Sequence, residues 1–341
     1  MHYQAQKHRY LTTSRLPAPP KHEWLETVKF WSEGGRGDVW FVADPLRTDL
    51  ALIDHGSGPD RSYRWPLTDP VLIGGIRPNA MDWYRLHEPG WFLGEGWALT
   101  PETAGVAEED GRGPGRAPIQ GWIRRRSEET TLMIGGRNLS LTGPSARVRI
   151  AIDGRTIDEQ TATPGFFLWM LKLPAGSLEG SGDYATMTVS ADQPKVAIEQ
   201  FDAQSAGCLV FGYGDGWHEP EYNPAIGRKW RWASDRATLR VHGVSRPLVL
   251  RLAGDLPSTS LIFSNASHVK ISAGGREVAS ETLSTHFDLQ VRIPAELVAG
   301  DDSAITIETD RVVVPAERSR RSSDRRRLGL RVFECDLRTG P

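Results

Sequence analysis

Side chains suited to binding a ligand are concentrated in one stretch, Gly214–Trp232, whose sequence is GDGWHEPEYNPAIGRKWRW. It contains three of the twelve tryptophans, with acids and positively charged residues among them. Aromatic rings stack on the apolar faces of a sugar, and carboxylate and guanidinium groups form paired hydrogen bonds with its hydroxyls. The stretch therefore predicts sugar binding more readily than catalysis. The candidate side chains are Trp217, Glu221, Arg228, Trp230, Arg231 and Trp232.

An earlier stretch, Gly94–Gly105 (GEGWALTPETAG), repeats this arrangement. Both copies begin with Gly-acid-Gly-Trp, continue with a Pro-Glu pair and a glycine, and lead to a tryptophan followed by arginine. The repetition predicts that the chain is a duplication in which this block opens each half. The first copy adds three candidates: Trp97, Glu102 and Trp122.

Two structural hypotheses remain open for these residues. In a strand, Trp230 and Trp232 point to one face and Arg231 to the other, because side chains alternate. The tryptophans and charges then form either an open binding site or a buried brace, in which Trp217 fills the core and Glu221 pairs with an arginine. For the first copy, where arginines replace the second tryptophan, the brace is favoured.

An enzymatic hypothesis rests on the acid pairs Asp215/Glu221 and Glu95/Glu102, which could supply a glycosidase with its acid and base. Both copies carry the same pair, which favours a structural role. The sequence also lacks the motifs of nucleophilic catalysis, zinc binding and phosphate binding. We expect no catalytic residue, metal or cofactor in this chain, and no enzymatic activity from it alone.

Composition indicates a soluble, globular protein. Charged residues make up 25% and hydrophobic ones 39%, and no apolar run approaches the ~20 residues of a membrane helix. The formal net charge of −2 argues against a nucleic-acid partner. No signal peptide is recognisable, although the chain could be the soluble part of a longer membrane protein. We expect Cys208 and Cys335 to be unpaired thiols, a disulfide being the alternative.

The pattern along the chain predicts four regions. Residues 1–20 form a linker, and residues 21–80 form a small α/β element. That element has an amphipathic helix at His22–Glu33, with Trp24, Val28 and Trp31 at helical spacing, and strands at Asp38–Asp44 and Asp49–Asp54. Residues 81–208 and 209–341 are the two halves of the duplication.

Each half offers seven or eight short strands with alternating apolar residues and turns between them. The matching segments can be followed almost to the end of the chain. This pattern predicts two tandem antiparallel jelly-roll β-sandwiches, so the fold class is mainly β with a small α/β element in front. The matched segments are 147–150 with 268–271, 167–174 with 287–294, 184–189 with 303–307, and 196–199 with 330–334.

A basic run, SRRSSDRRR at Ser319–Arg327, precedes the last predicted strand. The simpler interpretation is a solvated loop between strands, in which Asp324 braces a neighbouring turn. The alternative is a site for acidic polysaccharide or anionic lipid head groups.

The tandem G-x-G-W…P-E…W-R-W blocks, closing with DRRRLGL at Asp324–Leu330, resemble the carbohydrate-binding-module-like β-sandwiches that accompany bacterial membrane glycosyltransferases. The segment from His22 to Asp54 resembles the part that follows the last membrane helices in dolichyl-phosphate-mannose-type (GT-C fold) transferases. The catalytic membrane portion of such a transferase is absent from this sequence, so the resemblance carries no transferase activity to it.

The resemblance implies a non-catalytic region of a bacterial cell-envelope glycosyltransferase, one that recognises carbohydrate or acts as a scaffold. It would lie on the periplasmic or extracytoplasmic face of the membrane. Its partners would be a glycan or polysaccharide and an upstream membrane domain of the same parent protein. The alternative is a purely structural or protein-interaction module whose tryptophans are buried.

Overall fold

The computed structural model describes residues 29–31, 39–43, 60–66, 80–86, 89–93, 113–140, 142–223, 228–242, 245–257 and 266–340. Strands dominate this part of the chain. The first four form an antiparallel sheet in the order β1-β2-β4-β3. Their bounds are β1 Lys29–Trp31, β2 Val39–Ala43, β3 Asp60–Pro66 and β4 Ala80–Leu86.

The predicted helix at His22–Glu33 is wrong over the three residues of it that the structure describes, because Lys29–Trp31 is a strand. Its register places Phe30 opposite Phe41 and Trp31 opposite Trp40. Aromatic residues favour strands and pair well across them, so this tertiary pairing outweighs the local helical spacing. The predicted strand at Asp38–Asp44 is confirmed by β2, whereas the one at Asp49–Asp54 lies outside the described residues.

The next eight strands form a sandwich of a five-stranded sheet, β5-β6-β11-β8-β9, and a three-stranded sheet, β10-β7-β12. Apolar side chains of the two sheets meet between them, with Leu132, Ile150, Met187 and Ile198 in the core. The bounds are β5 Trp91–Leu93, β6 Ile119–Arg124, β7 Thr130–Asn138, β8 Ala146–Ile152, β9 Arg155–Ala162, β10 Gly165–Leu173, β11 Tyr184–Ala191 and β12 Val196–Ser205.

A second sandwich follows, with sheets β13-β16-β21-β18-β19 and β14-β15-β22-β17-β20. Its core includes Leu239, Leu250, Ile271 and Ile305. A short helix, α1 at Pro315–Arg318, lies between β21 and β22. The strand bounds are β13 Val210–Tyr213, β14 Trp217–Asn223, β15 Arg228–Ala233, β16 Arg236–His242, β17 Leu248–Asp255, β18 Ser267–Ala273, β19 Arg276–Leu283, β20 His286–Ile293, β21 Ser303–Thr309 and β22 Leu330–Thr339.

The two sandwiches have the same strand order. Each sandwich has eight strands when β14 and β15 are left out. If these eight are numbered along the chain, their order in both sandwiches is 1-2-7-4-5 in one sheet and 6-3-8 in the other. Equivalent hairpins also turn alike: Asp153-Gly154 joins β8 to β9 with φ of 47° and 78°, and Gly274-Gly275 joins β18 to β19 with φ of 54° and 77°. The predicted fold class of tandem jelly-roll sandwiches is confirmed.

The additional strands β14 and β15 extend one sheet of the second sandwich at its edge, beside β22. They have no counterpart among the strands described for the first sandwich. All six candidate residues of the second block lie on these two strands. The site is therefore built on an element that the described part of the first sandwich does not share.

Cys208 is exposed and Cys335 is partly buried, and both are free thiols, as predicted. No helix in the described part of the chain is long and apolar enough to cross a membrane.

Candidate functional site

The Gly-Asp-Gly-Trp motif of the second block is a tight connection from β13 to β14, lying against β16. Gly214 N donates to Thr238 O at 2.8 Å, and Thr238 N donates to Asp215 O at 2.8 Å. Gly216 has a φ of +81°, and a Cβ there would lie 1.8 Å from Arg236 O. The motif needs glycine because the backbone must approach β16 closely in a left-handed conformation.

Trp217 leaves this turn and enters the core of the second sandwich. It is only 7% exposed and belongs to the core cluster. Its ring meets Tyr213 edge to face, with centroids 5.0 Å apart. The brace hypothesis therefore describes Trp217 correctly: the residue fills the core, and a ligand has no access to its faces.

Glu221 joins strand β15 to the loop before β22. Trp230 Nε1 donates to Glu221 Oε2 at 3.1 Å, and Arg326 Nη1 lies 2.8 Å from Glu221 Oε1. The side chains of Glu221 and Arg326 are 29% and 28% exposed, so the ion pair is partly buried. The predicted Trp–Glu–Arg cluster thus forms with Arg326, which the sequence did not indicate as the partner.

Arg326 is held a second time within its own loop. Its Nε and Nη2 donate to Asp324 Oδ1 and Oδ2 at 3.0 and 2.7 Å, and its backbone N donates to Asp324 Oδ1 at 2.9 Å. These hydrogen bonds are the main cause that lowers the pKa of Asp324 and raises the pKa of Arg326. Asp324 braces this loop, as predicted.

Arg231 lies on the opposite face of β15 from the two tryptophans, as alternation requires. It is the register partner of the core residue Val332. Arg231 Nη1 donates to His218 O at 3.1 Å, and the guanidinium lies over the Tyr213 ring, 4.4 Å from its centroid. Arg231 is therefore not the partner of Glu221. Arg228 begins β15, and its side chain lies outside the described part of the structure.

The outer face of the same sheet gathers aromatic rings around one guanidinium. Trp232 and Arg331 are register partners, which places their side chains on one face. The Cζ atom of Arg331 lies 5.5 Å from the ring centroid of Trp230, 5.7 Å from that of Trp232 and 5.3 Å from that of Phe333. We call these four side chains the aromatic platform.

Asp255 fixes the guanidinium of the platform. It accepts hydrogen bonds from Arg331 Nε at 2.7 Å and from Nη2 at 2.6 Å, and these raise the pKa of Arg331. Trp232 is 9% exposed, whereas Trp230 and Phe333 are half-buried and present part of their surface. The sequence identified β22 as a strand but carried no indication that Arg331, Phe333 and Asp255 would meet the tryptophans.

Trp122, the candidate from the first block, lies on the outward face of β6 in the first sandwich. It stacks on Phe92 with centroids 4.9 Å apart and an interplanar angle of 14°, and Tyr184 meets Phe92 edge to face. Its strand β6 is equivalent to β16 and not to β15, so the predicted match between Trp122 and Trp230 is wrong. The error arises because β14 and β15 have no described counterpart. Trp97 and Glu102 lie outside the described residues.

The acid pairs proposed for catalysis are only partly described. Asp215 is an exposed turn residue, Glu221 is paired with Arg326, and the pair Glu95/Glu102 lies outside the described residues. Within the described part of the chain, no group of three or more His, Cys, Asp or Glu side chains is placed to hold a metal ion.

Fold and site define a tandem jelly-roll protein with an aromatic platform on one sheet. No protein-family model matches the chain, and no curated protein is similar to it in sequence. Among solved structures it is similar to the tandem CBM51 modules of a family 98 glycoside hydrolase from Streptococcus pneumoniae, with 11% identity over 65% of this chain and 81% of that one, at a TM-score of 0.25.

It is also similar to the tandem CBM22 modules of Xyn10C from Paenibacillus barcinonensis, with 10% identity over 73% of this chain and 93% of that one, at a TM-score of 0.23. A third neighbour is the ANXUR2 extracellular domain from Arabidopsis thaliana, with 11% identity over 86% and 93% of the two chains and a TM-score of 0.21. Similarities at these TM-scores carry no conclusion about what this protein binds.

Proposed function

We propose that the second sandwich binds carbohydrate at the aromatic platform. The observation that carries this proposal is the gathering of Trp230, Trp232 and Phe333 around the guanidinium of Arg331 on the outer face of the sheet. A tryptophan is usually found either in a core or at a recognition surface, and Trp230 lies outside the core and is partly exposed.

The platform offers both chemistries that a sugar requires. The partly buried rings of Trp230 and Phe333 present part of their apolar surface to the C–H faces of a pyranose. Arg331 supplies guanidinium donors, and Glu221 supplies a carboxylate beside the indole of Trp230. The Asp255–Arg331 hydrogen bonds hold the central side chain in place before a ligand arrives, which reduces the ordering that binding would require.

We further propose, on the sequence resemblance, that this region belongs to a bacterial cell-envelope glycosyltransferase. It would act there without catalysis, on the periplasmic or extracytoplasmic face, beside a membrane domain of the same parent protein. Aromatic and charged groups on one sheet suit recognition of the glycan on which such an enzyme acts. Sequencing the genomic region upstream of this chain tests this context, and membrane helices in the same reading frame would support it.

Isothermal titration of the full-length chain with a panel of neutral and acidic oligosaccharides tests the binding function. Wild type is compared with Trp230→Ala and with Phe333→Ala, which remove rings from the platform. Trp122→Ala is the matched control, because it removes a half-buried tryptophan from an outward face of the first sandwich. Circular dichroism spectra establish that each variant is folded.

We expect a glycan that binds wild type and Trp122→Ala alike, and whose affinity falls about tenfold or more in both platform variants, since a stacked ring contributes about 0.5–1.5 kcal/mol beyond the apolar area that it buries, and about 1.4 kcal/mol is tenfold. Binding that survives both platform variants would place the site elsewhere. A chain that binds no glycan of the panel would favour the structural or protein-interaction alternative.

A further inference from the structure

The loop between β21 and β22 is closed at its base and folded throughout. Val313 and Leu328 exchange two backbone hydrogen bonds of 2.8 Å, and Ala316 N donates to Asp324 O at 2.8 Å. We call residues 315–327 the arginine loop. Because its two limbs are tied together twice, the residues at its tip are held close to the second sandwich.

Hydrogen bonds also order the tip itself. Arg321 N donates to Ser319 Oγ at 3.2 Å, and Asp324 N donates to Ser322 Oγ at 3.2 Å. Ser322 N donates to Ser319 O at 3.0 Å. The serines of the basic run therefore shape the backbone, which leaves the arginine side chains to project from a defined turn.

Six arginines lie in this loop, and two of them have partners. Arg326 is paired with Asp324 and Glu221, and Arg327 Nε lies 3.0 Å from Asp235 Oδ1. The other four are exposed, and their guanidinium groups form no hydrogen bond or ion pair with any residue that the structure describes. These four are Arg318, Arg320, Arg321 and Arg325.

The closure of the loop concentrates this charge. No residue of the tip lies more than four residues from Ala316 or Asp324, so each Cα lies within about 14 Å of that closure. This upper bound exceeds the Debye length of about 8 Å at physiological ionic strength, but Arg320 and Arg321 are neighbours, with Cα atoms about 3.8 Å apart, so at least these charges reinforce each other. The whole chain carries a formal net charge of only −2, and the cationic loop is therefore a local feature.

We propose that the arginine loop binds the acidic groups of an anionic polysaccharide whose sugar rings lie on the aromatic platform. Guanidinium groups match the planar geometry of carboxylate and sulfate, with which they form paired hydrogen bonds. A polysaccharide repeats its acidic group along the chain, so several arginines engage one ligand at once.

The loop and the platform share a contact, which joins them into one surface. Arg326 from the loop lies 2.8 Å from Glu221, and Glu221 accepts the indole N–H of the platform residue Trp230. A sugar chain leaving Trp230 past Glu221 therefore reaches the loop. This inference rests on the proposed function and specifies its ligand: a glycan bearing carboxylate or sulfate.

The test compares polygalacturonate with dextran, a neutral polysaccharide, by isothermal titration of the full-length chain at low and at physiological salt. The loop variant is Arg320→Gln/Arg321→Gln, which changes two exposed arginines without partners. The matched control is Arg246→Gln/Arg276→Gln, two exposed arginines away from the loop with the same change in net charge. Vesicles of phosphatidylglycerol serve as the competing source of anionic groups.

We expect polygalacturonate to bind wild type and the control with affinities within about twofold, and to bind the loop variant at least about tenfold more weakly, given two lost charge-assisted contacts. Affinity should also fall steeply with salt, because the contacts are ionic. Equal weakening in the loop variant and the control would overturn the proposal, and so would binding to the vesicles without binding to polygalacturonate.

Trp230→Ala separates this inference from the proposed function. Binding of acidic glycan that depends on the loop but not on Trp230 would support the arginine loop as a site and contradict the platform. Binding that depends on Trp230 but not on the loop would support the platform and overturn the inference about acidic ligands.

Discussion

Replacing Glu221 by alanine removes the contact between the platform and the arginine loop. Two interactions are lost: the hydrogen bond from Trp230 Nε1, at 3.1 Å, and the ion pair with Arg326, at 2.8 Å. A hydrogen bond to a charged group contributes about 1.5–3 kcal/mol when its loss leaves a buried group unsatisfied. Trp230 is only partly buried, so its share lies toward the bottom of that range.

The ion pair adds less than a buried one would. Both side chains are a little under 30% exposed, and Arg326 keeps its paired hydrogen bonds to Asp324 after the substitution. The substitution therefore leaves no buried charge without a partner, and the 3–5 kcal/mol cost of breaking a buried pair does not apply. We expect the ion pair to contribute about 0.2–1 kcal/mol to the free energy of unfolding. Together the two terms predict that Glu221→Ala lowers the free energy of unfolding by about 1–2 kcal/mol.

Urea unfolding of the full-length chain, followed by circular dichroism, measures this loss. Glu277→Ala is the control, because Glu277 forms a single exposed ion pair with Lys270 at 3.7 Å in the same sandwich. The control should cost under ~0.5 kcal/mol. A cost of 3 kcal/mol or more for Glu221→Ala would refute the reasoning, since it would mean that the pair is a dry brace. A cost equal to that of the control would mean that the contact is not maintained in solution.

Two further predictions concern the turn before Trp217 and the hydrogen bonds between Asp324 and Arg326 in the arginine loop. Gly216→Ala should destabilise far more than Gly275→Ala: both glycines have similar positive φ, 81° and 77°, but only at Gly216 would a Cβ meet backbone, at 1.8 Å. The Gly275 change should cost about 1–2 kcal/mol, and equal midpoints of urea unfolding for the two variants would contradict the close approach. The lowered pKa of Asp324, caused mainly by its hydrogen bonds to Arg326, stabilises the fold above the ordinary carboxyl pKa of about 4 and is lost as pH falls through the lower pKa of the folded state. Asp324→Asn should therefore be less stable than wild type at pH 7 and approach it below about pH 4, and a stability difference unchanged by pH would contradict this.

Strand positions and the duplication followed from the sequence because they depend on local alternation. In β18 the side chains alternate between the core and the surface, and Val269 and Ile271 are the apolar members of that pattern. The paired hairpin glycines mark the same turn in both halves, because only residues that tolerate a positive φ can form it. Such patterns involve residues that are neighbours along the chain, so they can be recognised in the sequence without knowing which strands pair.

The failures have the same physical origin. Three residues of the predicted helix pair with β2 instead, so strand pairing outweighs local helical spacing there. Trp122 was matched to Trp230 because the sequence motifs of the two blocks agree. The strands that carry these two residues nevertheless occupy different positions in their sheets.

Sequence by itself determined which residues could serve a sugar-binding surface, and that Trp230 and Trp232 share a face. Only the tertiary structure decided that Trp217 fills the core, that Arg331 stands among the rings and that Arg326 reaches Glu221. Arg326 and Arg331 follow the tryptophans by about a hundred residues. The addition of β15 at the sheet edge brings it beside β22, and a shift of one residue in that register would turn Arg331 away from Trp232. That register is fixed by packing of the whole core, which no single stretch of sequence encodes.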